Sequence, residues 1–230
     1  MKKQLPGVRR AVSVALAASA LILAGCVAPP KAYDYAAFSE SKPASLLVLP
    51  PLNDSPDINA TPSVWAHATL PLSEAGYYVL PVALVDETFR QNGVTTATDA
   101  QQIPPQKLRD VFGADAALYL HVKNYGTRYA VLSSETRVEV EGRILDLRTG
   151  NLLWEGKAAA SSAEQQQQSQ GLIGLLVTAL VNQIVGTATD AAYNYAGIAN
   201  NRLLAAPRFN GVLPGPRSPL FGQPPVAAPR

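Results

Sequence analysis

The stretch "RVEVEGRILDLRTGNLLWEGKAAA", Arg137 to Ala160, decides the fold. Its first eight residues alternate strictly. Val138, Val140 and Ile144 point one way, while Arg137, Glu139, Glu141 and Arg143 point the other. A period of two with one apolar and one charged side describes a strand of an antiparallel sheet with one face in water. The phase then slips, because Leu145 and Leu147 are apolar while Asp146 and Arg148 are polar. Two adjacent apolar residues predict a β-bulge near Ile144-Leu145. "RTGN", Arg148 to Asn151, is a hairpin turn carrying Gly150. "LLWEGKAAA", Leu152 to Ala160, is the returning strand. Upstream, "ADAALYLHVKNYG" alternates after Ala117, with Leu118, Leu120 and Val122 set against Tyr119, His121 and Lys123. These three segments form an antiparallel meander.

Before the meander the grammar differs. Leu46 to Leu49 is a continuous apolar run closed by Pro50-Pro51, which suits a strand buried on both faces. Thr61-Pro62 predicts a helix start, with the helix running to about Ala75 and stopped by Gly76. Tyr77 to Pro81 is a second short strand. Val82, Val85 and Phe89 are spaced for one helix face, with Asn92-Gly93 as its stop. "PPQKLRDVFG", Pro104 to Gly113, is a further short helix. The order is strand, helix, strand, helix, helix, then three strands. The expected class is α/β, with a mixed sheet, an antiparallel C-terminal meander and helices packed on it.

After the meander, "SSAEQQQQSQ", Ser161 to Gln170, is polar and of low complexity and reads as a solvated helix start or linker. Gly171 to Ala206 reads as a long helix or helix pair. Its first half is apolar nearly all round, so it is buried or meets another chain. Leu172, Leu175, Leu176, Leu180 and Ile184 are the expected interface residues. Asn182 and Gln183 and the short length argue against a membrane span. Ala206 to Arg230 holds seven of the 19 prolines and reads as an extended, disordered tail.

The N-terminus fixes the compartment. Lys2, Lys3, Arg9 and Arg10 precede the apolar run Ala11 to Gly25, as in a secretory signal. Cys26 is the sole cysteine. Leu23-Ala24-Gly25-Cys26 resembles the bacterial lipobox, in which the signal is cut before a cysteine that then carries lipid. A buried apolar cysteine is the alternative, but its place at the end of an apolar run favours acylation, with palmitate among the expected chains. Several acyl chains hold a protein in a membrane. Val27 follows, where lipoproteins kept in the inner membrane carry Asp, so the resemblance implies the outer membrane. Removing residues 1–25 takes away four basic side chains and turns the chain's +2 into −2. Nucleic acid is therefore not an expected partner. The expected organisation is a signal at 1–25, a lipidated tether at 26–44, a body at 45–205 and a proline-rich tail at 206–230.

Catalytic motifs do not emerge. His67 falls on a helix and His121 on the polar side of a strand, neither at metal-ligand spacing. There is no Gly-x-Ser-x-Gly elbow, Walker A loop or Gly-x-Gly-x-x-Gly. Asp86-Glu87 are helix neighbours about 100° apart and belong on a solvated face. Asn53, Asp54 and Asp57 in "NDSPD" lack EF-hand spacing and read as caps on loop backbone. Neither enzyme activity nor a cofactor is expected.

Three stretches together, Val48 to Thr61, Pro71 to Gly93 and Phe112 to Gly156, resemble a family of Gram-negative outer-membrane lipoproteins without a defined activity. Their body is similar to the N-terminal domain of TolB and to the curli-secretion lipoprotein family. The resemblance implies an α/β sandwich with a mixed sheet, no cofactor, no catalytic residue, self-association as a homodimer or higher homo-oligomer, and envelope protein partners. The expected function is a non-enzymatic interaction or assembly module of the cell envelope, anchored to outer-membrane lipid through acylated Cys26. The alternative is an oligomeric secretion or pore component related to curli export.

Overall fold

The computed structural model describes residues 31–130, 133–164 and 191–228. Its folded unit runs from Ala32 to Ala227. In chain order the elements are α1 (Ala36–Ser41), β1 (Ser45–Val48), β2 (Leu52–Asn53), α2 (Ala60–Glu74), β3 (Tyr78–Val79), α3 (Val82–Gln91), α4 (Ala97–Gln102), α5 (Pro105–Phe112), β4 (Ala116–Ala130), β5 (Ser133–Asp146), β6 (Leu152–Ser161) and α6 (Ala191–Leu204). The strands form one mixed sheet in the order β3-β1-β4-β5-β6, with β2 pairing separately along β4. β1 is parallel to β3 and β4, and β4-β5-β6 is the antiparallel meander. The α/β class and the mixed sheet stand as the sequence implies.

The path from β1 out to β3, then back past β1 to β4, explains the layers. Two right-handed crossovers in opposite directions put their helices on opposite faces of a sheet. α2 therefore covers one face and α3–α5 the other. This is why Leu46, Leu47, Val48 and Leu49 are all wholly buried and carry no polar alternation. α6 packs beside α2 and across β5 and β6 on the same face. Gly142 of β5 makes room there, since a Cβ on it would meet Leu203 Cδ2 of α6 at 3.2 Å. On the other face no described helix covers β5 and β6.

The bulge near Ile144 is present. Ile144 pairs with Trp154 and Leu145 with Leu152, so the extra residue is Leu153 of the returning strand. A second irregularity, not legible in the sequence, leaves Lys123 unpaired between Val122 and Asn124. The alternation of β5 holds: Val138, Val140 and Ile144 are buried, while Arg137, Glu141 and Arg143 are exposed. Asp146 is the exception, being buried at 3 % exposure.

Several boundaries differ from the sequence reading. The first long helix starts at Ala60 with Asn59 before it, because Thr61 uses its hydroxyl on Pro51 O at 3.1 Å instead of capping. α1, α4 and the two-residue β2 were not expected. The tether and the tail are ordered where they meet the body. Tyr35 and Phe38 are buried in the core, and so is Val212. Tyr35 Oη donates to Gly211 O at 2.5 Å, Tyr77 Oη to Leu213 O at 2.5 Å and Trp154 Nε1 to Asn210 O at 3.0 Å. The N–H groups of Gly215 and Arg217 donate to Ala75 O and Gly76 O at 2.8 and 3.1 Å. Residues 207–218 are therefore a strap on the body, not a disordered tail, and the tether folds from Ala32. Proline removes N–H donors but leaves every carbonyl, and this strap is held mostly through its carbonyls.

Candidate functional site

The residues singled out in the sequence, Leu23, Ala24, Gly25 and Cys26 and the apolar set Leu172, Leu175, Leu176, Leu180 and Ile184, lie outside the described residues. The low-complexity run after Glu164 does too. What the described residues do bring together is a trough on the bare face of the meander.

Strand register builds it. Tyr119 of β4 lies opposite Arg143 of β5, which lies opposite Glu155 of β6. In the next row His121 lies opposite Glu141, which lies opposite Lys157. Alternate residues share a face, so these six side chains line one surface. Leu52 and Gln101 close one side, and the trough holds about 490 Å³. Gln101 is fixed from α4 by donating through Nε2 to Pro50 O and to Leu120 O, both at 2.9 Å. Tyr119 is only 7 % exposed. Burial pushes its phenol up from the ordinary value, against the nearby Arg143 charge.

At the mouth, Asp54 meets two side chains of β4. His121 Nε2 lies 2.8 Å from Asp54 Oδ1, and Lys123 Nζ pairs with Asp54 Oδ2. The Lys123 and His121 contacts hold the Asp54 carboxyl below its ordinary value, and Asp54 in turn raises Lys123. The preceding loop is built as its sequence implies. Asn53 Oδ1 accepts from Ser55 N at 2.9 Å, and Asp57 Oδ1 accepts from Asn59 N at 2.9 Å.

The second histidine is elsewhere. His67 of α2 stacks on Tyr193 of α6, with ring centroids 4.3 Å apart, and lies against Gly197. Burial lowers its pKa, so the neutral ring is favoured there. Nearby, Asn200 is wholly buried and donates to Val64 O and Ala196 O at 3.2 and 3.1 Å. Among the described residues no cluster of three or more His, Cys, Asp or Glu is placed to hold a metal ion. Neither histidine is hydrogen-bonded to a serine in the described contacts. The tyrosine hydroxyl bonded to Ser63 belongs to Tyr125, at 2.9 Å. Asp86 and Glu87 lie on an exposed face with Arg90, at 3.5 and 3.6 Å.

A family model described as "Putative lipoprotein GNA1162-like" matches residues 33–217. The chain belongs to this lipoprotein family. The matched span begins at Tyr33 and ends at Arg217, so it takes in the ordered tether and the strap to within one residue at each end. A Neisseria meningitidis serogroup B protein named "Putative lipoprotein NMB1124/NMB1162" is 48 % identical over 201 residues, covering 87 % of this chain and 93 % of its own length. The crystal structure of lipoprotein GNA1162 from Neisseria meningitidis is 50 % identical with a TM-score of 0.51. That match covers 63 % of this chain and 99 % of the other. The resemblance to a lipoprotein family thus stands, and the GNA1162-like proteins are named as lipoproteins, not by a reaction.

The trough's charges were visible in the sequence as a polar strand side. Their opposition across strands was not, because register depends on the Lys123 and Leu153 bulges. Tyr119 read as part of the solvated side, and the short helix α4 that brings Gln101 to β4 was not expected from the sequence.

Proposed function

We propose that this chain is an outer-membrane lipoprotein acting as a non-enzymatic interaction or assembly module of the cell envelope. It is cut before Cys26, acylated there with palmitate among the chains, and held on lipid by them. The observation that carries the reading is the conjunction of a lipobox-like Leu23-Ala24-Gly25-Cys26 with membership in a lipoprotein family. Val27 directs it to the outer membrane by the sorting resemblance. The described histidines support the non-enzymatic part: one is stacked in a helix interface and the other is taken up by a carboxylate. Homo-oligomers and envelope proteins are the partners this role calls for.

The pore alternative is disfavoured by the meander. One of its faces is packed on α2 and α6, and the other carries Glu141, Arg143, Glu155 and Lys157. A barrel strand needs an apolar band toward lipid, and neither face supplies one.

The test is metabolic labelling with tritiated palmitate, followed by density-gradient separation of the two membranes. The wild-type chain is expected to carry label and to sediment with the outer membrane. Cys26→Ala is expected to lose label and to leave that fraction. Label retained by Cys26→Ala, or a labelled chain found in the inner membrane, overturns the anchoring.

A further inference from the structure

The four charges of the trough form a checkerboard. Along β5, Glu141 is followed on the same face by Arg143, and on β6 Lys157 stands opposite Glu141 while Glu155 stands opposite Arg143. Directly opposed residues bring their Cβ atoms to about 4.5–5.5 Å, where opposite charges commonly pair. Here they do not: among the described residues no ion pair joins any of the four, whereas Lys123 of β4 does close on Asp54 just after β2. The Tyr119 hydroxyl on the floor has no hydrogen-bond partner among the described residues either, although its ring is buried. The site thus presents two cations, two anions and one hydroxyl around about 490 Å³ of space.

A singly charged ligand meets one repulsion for each attraction on such a pattern. A dipolar ligand laid along one strand gains an attraction at each of its two ends, with the repelling groups one strand further away. Successive same-face residues on a strand are about 6.8 Å apart, so its charges should be separated by roughly that distance. The ends of an extended dipeptide, an ammonium and a carboxylate, are about 7 Å apart. We propose that the trough is a binding site for short zwitterionic peptides of dipeptide length, carboxylate toward Arg143 and ammonium toward Glu141, with Tyr119 donating to the carboxylate. Lys157 and Glu155 offer the same pair in the opposite direction along β6. The proposal goes beyond the envelope-module reading and does not depend on it.

Saturation-transfer NMR observed on alanylalanine, with the full chain in detergent at low ionic strength, tests it. The expected result is a saturable signal that is about tenfold weaker for N-acetyl-alanylalanine and for alanylalanine amide, each of which lacks one charge-assisted contact. Arg143→Gln and Glu141→Gln should each weaken the free dipeptide by about tenfold, and Tyr119→Phe by less. These side chains, apart from Tyr119, are exposed, and an unchanged melting temperature for Arg143→Gln and Glu141→Gln separates lost binding from lost folding. No saturable signal, equal binding of a blocked dipeptide, or undiminished binding to both folded variants overturns the proposal. Failure here leaves palmitate labelling of Cys26 unaffected, so the two readings fail separately.

Discussion

Asp146 shows how one residue closes the meander. It ends β5, is 3 % exposed, and accepts from Arg148 N at 2.7 Å, Thr149 N at 2.9 Å and Ser41 Oγ at 2.6 Å. The first two bonds shape the turn, and the third ties α1 to it. Burial alone would raise this carboxyl, but the Ser41 hydroxyl and the two amides outweigh it and hold the group below its ordinary value. A folded pKa below the unfolded one means stability that is present above the unfolded value near 3.9 and is lost as pH falls through the folded value. Asp146→Asn should therefore reduce the acid sensitivity of the melting temperature below about pH 4. At pH 7 it should cost about 1–3 kcal/mol, because buried donors lose a charged acceptor. Urea unfolding at pH 7 and pH 3 checks both. Equal losses for wild type and variant between the two pH values would remove Asp146 from the acid response. The sequence showed Asp146 only as a polar residue after a phase slip. What it could not show is that the extra residue lies on β6, at Leu153, so that β5 keeps its alternation and Asp146 stays on the inward face of Ile144, where the turn amides need its carboxylate.

At the scale of elements, the strap from Pro207 to Ser218 is held through carbonyls at Asn210, Gly211 and Leu213 and through two donors onto the end of α2. Gly76 is the tightest point. Its φ is +96°, and a Cβ there would lie 2.4 Å from Ser218 N. Gly76→Val adds left-handed strain to a clash with backbone that has no room to yield. The expected result is a loss of about 2–4 kcal/mol together with release of the strap. Released strap uncovers Trp154, which is 1 % exposed, so its emission should shift to the red and become quenchable by iodide. Unchanged Trp154 quenching in a folded Gly76→Val chain would show that the strap holds without Gly76. The strap also marks where reading from sequence runs out. The periods of β5, of the buried run Leu46 to Leu49, and of α3 and α5 were legible because burial alternates with water along them. Proline density in the tail excludes helix and central strand, yet says nothing of carbonyls accepting from Tyr35, Tyr77 and Trp154. α1 is only six residues long and buries a single side chain, Phe38, among residues distant in the chain, so no local period announces it.

For the molecule as a whole, these ends redraw the boundaries of the body. The sequence places it at 45–205, between a lipid tether and a tail, but the folded unit is Ala32–Ala227, and the family match from 33 to 217 agrees with the wider span. The difference is energetic. The segment before β1 buries Tyr35 and Phe38, and the strap buries Val212 while capping the hydroxyl of Tyr77 and the indole of Trp154. Losing one large buried aromatic costs about 3–5 kcal/mol, and a domain has only about 5–15 kcal/mol in total. A chain spanning 45–205 should therefore unfold at a much lower urea concentration than one spanning 32–227, with Trp154 already exposed before the transition. Both chains contain the same catalogue of strands and the same apolar stretch from Leu172 to Ile184, so the comparison isolates the two ends. Equal midpoints would make the tether and strap dispensable and restore the narrower body. A large difference makes residues 32–44 and 206–227 integral parts of the folded body, as the burial of Tyr35, Phe38 and Val212 implies.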